Sequence, residues 1–128
     1  MSVLVPTSWG EVIDKITILE IKNERLADAA KRANVKRELD ELTAVREREF
    51  PAHKGLAVLA AKLKAINEKL WVVEDDIRDL ERARTFDQKF IDLARAVYVT
   101  NDERANVKRE INTLLGSKLI EEKSYAPY

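Results

Sequence analysis

The sequence contains no cysteine, one histidine, three glycines and three prolines among its 128 residues. The absence of cysteine excludes disulfides, thiol chemistry and thiolate metal ligands. Because His53 is the only histidine, a site built from several histidines of one chain is excluded as well. No catalytic or metal-binding motif stands out. We therefore predict no metal and no cofactor, and the sequence leaves open whether the protein is an enzyme.

Neither sign of charge prevails, and long hydrophobic runs are absent. The 23 basic residues balance 23 acidic residues, which argues against a broad surface for binding nucleic acid. No stretch approaches the roughly 18 apolar residues of a membrane span, and residues 1–7 lack the basic and apolar segments of a signal peptide. We expect a cytoplasmic protein that binds neither nucleic acid nor a membrane.

Glycine and proline are widely spaced, and the long stretches between them favour helices. The sequence predicts a single all-α domain over residues 1–128, folded as an antiparallel bundle of about five helices. An extended lead-in is expected at residues 1–7 and a C-terminal tail at 117–128. The first helix should begin at Ser8, because Ser8-Trp9-Gly10-Glu11 matches a capping box.

The strongest periodic signal lies between about residues 54 and 84. Its apolar residues recur at alternating spacings of three and four: Leu56, Leu59, Leu63, Ile66, Leu70, Val73, Ile77 and Leu80. This seam of coiled-coil type predicts one long central helix, roughly 45 Å in length. Capping-box patterns at Thr85 and Thr100 predict that two further helices begin there, and Gly116 is expected to end the last one.

Seven residues occur twice, because residues 32–38 and 104–110 have the same sequence. An identity of this length rarely arises by chance in a short chain, so it predicts an internal duplication of an α-hairpin. The basic residues of each copy share a helix face. They are compatible either with an anion-binding site or with exposed ion pairs, such as Lys36 with Asp40.

Two other groups of polar residues allow more than one interpretation. Asn23 lies on the apolar line of the first helix, which indicates a register-fixing hydrogen bond or a ligand contact. The acidic residues between 74 and 81 are typical either of a Mg²⁺ site or of a surface network with Arg78 and Arg82. We expect the surface network.

Residues 6–11 and 14–22 read P-T-S-W-G-E-x-x-D-K-I-T-I-L-E-I-K. With this opening, the chain resembles an uncharacterised family of short, all-helical bacterial proteins, and the likeness continues through residues 66–78, 90–95 and 121–125. The resemblance implies no established activity. Members are similar to small proteins found beside bacterial glycosyltransferase and surface-polysaccharide genes, which implies a protein partner and gives no evidence of catalysis.

The resemblance also implies where a site would lie, namely at the polar residues within the shared stretches. These residues are Asp14, Lys15, Glu20, Asn67, Glu74, Asp75, Arg78, Arg95 and Asp102. They mix acids, bases and an amide. Such a mixture suits an internal polar network, or a pocket for a small zwitterionic or phosphorylated ligand, better than a metal cage of carboxylates.

Two functional hypotheses follow. The first is a non-catalytic interaction or scaffolding bundle, a homodimer in which the first or third helix supplies excess apolar surface. The alternative is a helical enzyme of lyase, mutase or pyrophosphohydrolase type that binds a small molecule or anion between its helices. In that case Lys15, Arg78 and Arg95 would hold the anion. Glu20 or Glu74 would act as acid, base or metal ligand.

Overall fold

The computed structural model describes residues 2–119, 122 and 124–128. Within these ranges the chain forms four α-helices and no strand. The helices are α1 (Trp9–Arg25), α2 (Ala29–Glu49), α3 (Lys54–Arg82) and α4 (Gln88–Leu115). The all-α class is confirmed, but the described chain has four helices and not the expected five.

The helix count differs because residues 100–103 lie inside α4 and do not start a new helix. Thr100 is fully buried, and apolar residues recur at spacings of three and four on both sides of it. A serine or threonine caps a helix only where the chain before it is not helical. Here the helix and its buried face continue through Thr100. The helix begins after Asp87, whose side chain accepts a hydrogen bond from the Phe90 backbone N–H at 3.2 Å; the expected start at Thr85 is wrong.

The other helix ends follow local chemistry. Ser8 Oγ accepts a hydrogen bond from the Glu11 backbone N–H at 3.3 Å, which confirms the predicted start of α1. Asp28 caps α2 in the same way at 3.0 Å, so α2 begins a few residues before the repeated run. Gly116 ends α4 in the left-handed conformation at φ 65°, as predicted, because glycine adopts this conformation without steric cost.

α3 is the longest helix, as predicted, but the prediction that it is also the central helix is wrong, because the central position belongs to α1. α1 contacts each of the other three helices, α3 packs against α1 and α4, and α2 lies on the outside against α1. The sequence of α1 explains its place, because Ile13, Ile16, Leu19 and Ile21 are all buried, over most of its circumference. By contrast, no residue of α2 is buried.

The core lies where α1 fills the groove between the antiparallel helices α3 and α4. Its buried members are Ile13, Ile16, Leu56, Leu63, Ile66, Leu70, Val107 and Ile111. This confirms the first part of the predicted α3 seam as core. No residue of α3 beyond Val73 is buried, and no residue of α4 before Thr100 is.

The uncovered end of this helix pair is a consequence of helix length. α1 has 17 residues and α3 has 29, so at 1.5 Å per residue α3 exceeds α1 by roughly 18 Å. We call residues 77–97, which comprise the end of α3, the connecting loop and the start of α4, the arm. The arm is a two-helix hairpin in which no residue is buried.

The two copies of the repeated run lie in different surroundings. Residues 32–38 belong to the outer helix α2, where only Val35 is even partly buried. Residues 104–110 lie in the second half of α4, where Val107 and Lys108 are buried. The structure therefore does not confirm the predicted duplication, and identical residues serve as an exposed surface in one copy and as core in the other.

Gly10 lies in a tight contact between α1 and α4. A Cβ atom at Gly10 would stand 2.6 Å from the Lys108 carbonyl oxygen and 2.9 Å from Asn112 Oδ1. Gly10→Ala must therefore force the two helices apart. We expect it to lower the free energy of unfolding by about 1–3 kcal/mol, the usual cost of overpacking, as measured by urea denaturation.

Gly55→Ala is the matched control for this prediction. A Cβ atom at Gly55 would meet only the side chains of His53 and Leu114, at 3.2 Å and 3.3 Å. Side chains can move aside, and alanine favours a helix over glycine, so stability should stay the same or rise slightly. Equal losses in the two variants would contradict the close approach of α1 and α4 at Gly10.

Candidate functional site

A buried carboxylate, Asp14, lies between α1 and α4. Arg104 of α4 donates two hydrogen bonds to it, from Nε to Oδ1 at 2.9 Å and from Nη2 to Oδ2 at 2.5 Å. The Asp14 side chain is only 5% exposed and that of Arg104 is 27% exposed. Because a guanidinium matches a carboxylate through two parallel hydrogen bonds, this pair fixes the orientation of α1 against α4.

Asn67 extends this contact to the third helix of the core. Its Nδ2 donates to Asp14 Oδ1 at 3.0 Å and to Thr17 Oγ1 at 2.9 Å. Thr17 Oγ1 in turn donates to the Asp14 carbonyl oxygen at 2.8 Å, and Arg104 Nη1 donates to Asn101 Oδ1 at 3.3 Å. We call these five residues the Asp14 network, and it joins α1, α3 and α4 through hydrogen bonds.

Two more contacts hold the start of α1 against the end of α4. Lys108 Nζ pairs with Glu11 Oε1 at 2.6 Å, and the Gly10 backbone N–H donates to Asn112 Oδ1 at 2.6 Å. Lys108 and Asn112 are both buried. Residues later in α1 contact residues earlier in α4. These polar contacts therefore define an antiparallel register for the two helices.

A cleft of about 440 Å³ opens beside the Asp14 network, between α1, α3 and α4. Its apolar wall consists of Ile18, Ile21, Leu70 and Trp71. Part of its polar wall is the network itself, through Asn67, Asn101 and Arg104. This volume and this mostly apolar lining with a few polar groups are typical of sites for small molecules.

The rim of the cleft carries charges of both signs. Arg78 of α3 forms an ion pair with Glu74, one turn earlier on the same helix. Lys22 of α1 and Asp75 of α3 also line the cleft, but neither side chain forms a hydrogen bond or an ion pair with any described residue. The cleft thus presents one uncommitted cation and one uncommitted anion.

Five of the nine predicted site residues lie in the network or at the cleft: Asp14, Asn67, Glu74, Asp75 and Arg78. The other four lie elsewhere. Lys15 pairs with Glu38 of α2 at 3.6 Å, and Glu20 is half-buried on α1 outside the cleft.

The remaining two predicted residues lie on α4. Arg95 Nε donates to Tyr98 Oη at 3.3 Å, and Asp102 accepts a hydrogen bond from Tyr128 Oη at 2.5 Å. The expected anion site of Lys15, Arg78 and Arg95 is therefore not formed. The three cations come from three different helices, and each contacts a neighbour of its own.

Three residues outside the cleft have raised pKa values. A hydrogen bond to Glu24 raises the pKa of Lys64, and the hydrogen bond to Asp102 raises the pKa of the Tyr128 hydroxyl. A hydrogen bond with Tyr98 raises the pKa of Arg95. In each case the protonated form is the one that donates the hydrogen bond, which is why it is favoured.

Sequence reasoning missed several members of the site, of which Arg104 matters most. Arg104 belongs to the repeated run, for which the sequence left open an anion-binding site or exposed ion pairs. Neither alternative predicted a buried bond to Asp14. A signal was present, because Arg104 continues the apolar spacing of Val97, Thr100 and Val107 along α4. A charged residue at such a position requires a partner. Thr17, Lys22, Trp71 and Asn101 gave no comparable signal.

The buried amides among the described residues are Asn67 and Asn112, and Asn23 is not one of them. Asn23 is half-buried and its side chain makes no hydrogen bond with a described residue, so the predicted register-fixing bond is absent there. Asn67 is 6% exposed and performs that role from α3. Asn67 is among the predicted site residues, but the register-fixing role was predicted for Asn23.

The predicted surface ion pairs are confirmed. Arg78 pairs with Glu74 and Arg82 with Asp79 along α3, and Lys36 pairs with Asp40 on α2 at 3.2 Å. Among the described residues, no three histidine, aspartate or glutamate side chains are grouped closely enough to hold a metal ion. None of the four helices is long and apolar enough to cross a membrane.

The fold and the site define an all-α helical bundle with a charged network buried between its first, third and fourth helices. The chain belongs to a family of unknown function (DUF6165), whose model matches residues 3–127. This confirms the expectation of a family without an established activity. No curated protein and no solved structure matches the chain.

Asp14→Asn tests the importance of the network, because it removes a charge while keeping the shape of the side chain. The Arg104 guanidinium would then face a neutral amide in a largely buried position. We expect the free energy of unfolding to fall by about 3 kcal/mol, as for other buried ion pairs that lose one partner. Chemical denaturation by urea, followed by circular dichroism, measures this loss.

Glu24→Gln is the control, since it makes the same chemical change in an exposed pair that also joins α1 to α3. Glu24 Oε1 lies 2.6 Å from Lys64 Nζ, and the Glu24 side chain is 49% exposed. Exposed pairs contribute less than about 1 kcal/mol. If Asp14→Asn cost no more than Glu24→Gln, the network would not be the main polar link between the helices.

Proposed function

We propose that the protein is a non-catalytic interaction module that acts as a homodimer, with the arm of one copy packed against the arm of a second. The observation that carries this proposal is the state of the apolar residues in the arm. Ile77, Leu80, Phe90, Leu93 and Val97 are all only half-buried, whereas the corresponding residues beside α1 are buried. The location of the protein in the cytoplasm stays a prediction from the sequence.

The tip and the outer side of the arm add further apolar surface. Phe86 is 53% exposed and Ile91 is 48% exposed, and the Phe86 ring stands edge-on to that of Phe90 at 5.1 Å. A two-helix hairpin covers each helix on one side only. Two such hairpins complete a four-helix bundle in which both apolar stripes are enclosed.

The charges of the arm do not oppose a second copy as the occupant. Residues 77–97 carry four acidic and five basic side chains, so two arms that meet are close to neutral. A two-fold axis between two hairpins places α3 of each copy beside α4 of the other. The apolar stripe of each arm then faces that of the other copy, with little charge repulsion between them.

The described residues near both ends of the chain contact parts of the molecule outside the arm. The start of α1 is bound at the far end of the molecule, where the Trp9 backbone N–H donates to Ser117 Oγ at 3.0 Å. At the other terminus, Tyr128 contacts α4 through Asp102 and through the Tyr98 ring at 5.4 Å. Neither contact reaches Phe86, Phe90 or Ile91.

Ile91→Glu tests the proposal by sedimentation equilibrium at micromolar concentration. The wild-type chain should sediment at twice its mass of 14.7 kDa, and the variant as a monomer. The new carboxylate is tolerated in the monomer, because Ile91 is exposed in the second turn of α4, near the helix N-terminus. In a two-fold interface it occurs twice, and each copy would be buried without a partner.

Val58→Glu is the matched control, since Val58 is 68% exposed in the second turn of α3, at the opposite end of the helix pair. This variant should remain a dimer. A wild-type monomer would overturn the proposal. A folded Ile91→Glu variant that remained a dimer would also overturn it, because the interface would then lie away from the arm.

A further inference from the structure

We infer that the cleft between α1, α3 and α4 binds a small zwitterion with an apolar or aromatic body, such as an amino acid. This inference is independent of dimer formation. Three features of the cleft carry it: an apolar wall, a pair of uncommitted opposite charges, and two side-chain amides whose free atoms are complementary to an ammonium and a carboxylate.

The apolar wall defines the body of the ligand. Ile18 and Ile21 of α1 and Leu70 and Trp71 of α3 line this open space of about 440 Å³. A hydrocarbon or aromatic group can leave water there, at roughly 25 cal/mol for each Å² of buried apolar surface. A purely ionic ligand would gain nothing from these walls.

The two uncommitted charges of the cleft define the ends of the ligand. Lys22 extends from α1 and Asp75 from α3, so the two come from different helices, and they do not pair with each other or with another described residue. A ligand carboxylate can pair with the Lys22 ammonium, and a ligand ammonium with the Asp75 carboxylate. A phosphorylated anion fits less well, because Asp75 would repel it and Arg78 is already paired with Glu74.

The two side-chain amides add one hydrogen-bond acceptor and one hydrogen-bond donor to the cleft. Asn67 donates both of its amide hydrogens, to Asp14 and Thr17, so its Oδ1 remains an acceptor with no donor among the described residues. This side chain is more than nine-tenths buried and lines the cleft. Asn101 is the converse case, since its Oδ1 accepts from Arg104 and its Nδ2 remains a donor.

The chemistry of the partners fixes both amide orientations. A carboxylate only accepts hydrogen bonds, so the Asn67 nitrogen must face Asp14. A guanidinium only donates, so the Asn101 oxygen must face Arg104. The network thereby holds these two free atoms in place before a ligand arrives, which lowers the entropic cost of binding.

The test uses L-phenylalanine and L-leucine as probes and Trp71 as the reporter. In a Trp9→Phe background Trp71 is the sole tryptophan, and Trp9 itself packs on Phe50, 4.9 Å away between ring centroids, and does not line the cleft. We expect saturable changes in Trp71 fluorescence. The analogues 3-phenylpropionate and 2-phenylethylamine, each lacking one charge, should bind roughly tenfold more weakly or worse than L-phenylalanine.

Two variants test which charged side chain binds which end of the ligand. Asp75→Asn should abolish the advantage of L-phenylalanine over 3-phenylpropionate, and Lys22→Met should abolish its advantage over 2-phenylethylamine. Both side chains make no contact that the fold requires, so circular dichroism should be unchanged. The inference is overturned if neither amino acid alters Trp71 fluorescence at millimolar concentration, or if the single-charge analogues bind as tightly as the zwitterion.

Discussion

Asp14 and Arg104 bring opposite charges into the contact between α1 and α4, where neither charge would be stable without the other. Their two parallel hydrogen bonds, at 2.9 Å and 2.5 Å, set the rotation of α1 about its own axis. Apolar contacts alone would not do this, because α1 is apolar over most of its circumference and could pack in several orientations. The polar network therefore selects one arrangement of the core.

The orientation of α1 determines the other features of the molecule. With Asp14 held against α4, Ile18 and Ile21 form the apolar wall of the cleft, and Lys22 reaches its rim. Because α1 ends at Arg25 while α3 continues to Arg82, the helix pair beyond the cleft has no third helix to cover it. The cleft and the arm are thus two results of one short central helix placed in the groove of two long ones.

Local signals predicted the elements of the fold well. The serine cap of α1, the apolar seam of α3 and the glycine at the end of α4 each depend on a few neighbouring residues, and each was found where the sequence indicated. The break expected at Thr100 was wrong, because the same residue type can cap a helix or lie buried inside one. Only the surrounding packing distinguishes the two.

The site was predicted only in part, for a different physical reason. Helical spacing shows which residues share a face, but it does not show which faces of different helices meet. Asp14, Asn67 and Asp75 were expected to be functional, yet their partners Arg104 and Thr17 and the position of Lys22 depend on how α1 lies in its groove. Identical runs at residues 32–38 and 104–110 illustrate the limit, since the first has no buried residue and the second buries Val107 and Lys108.

The pairing of arms is tested most directly by a distance between two copies. The chain has no cysteine, so a single spin label can be attached at Asp92→Cys, in the middle of the arm, or at Val58→Cys, at the opposite end of the helix pair. Double electron–electron resonance should give a sharp distance between copies labelled at position 92, and a much longer one, or none, at position 58. The absence of a dipolar interaction at position 92, or a shorter distance at position 58, would contradict the proposed dimer.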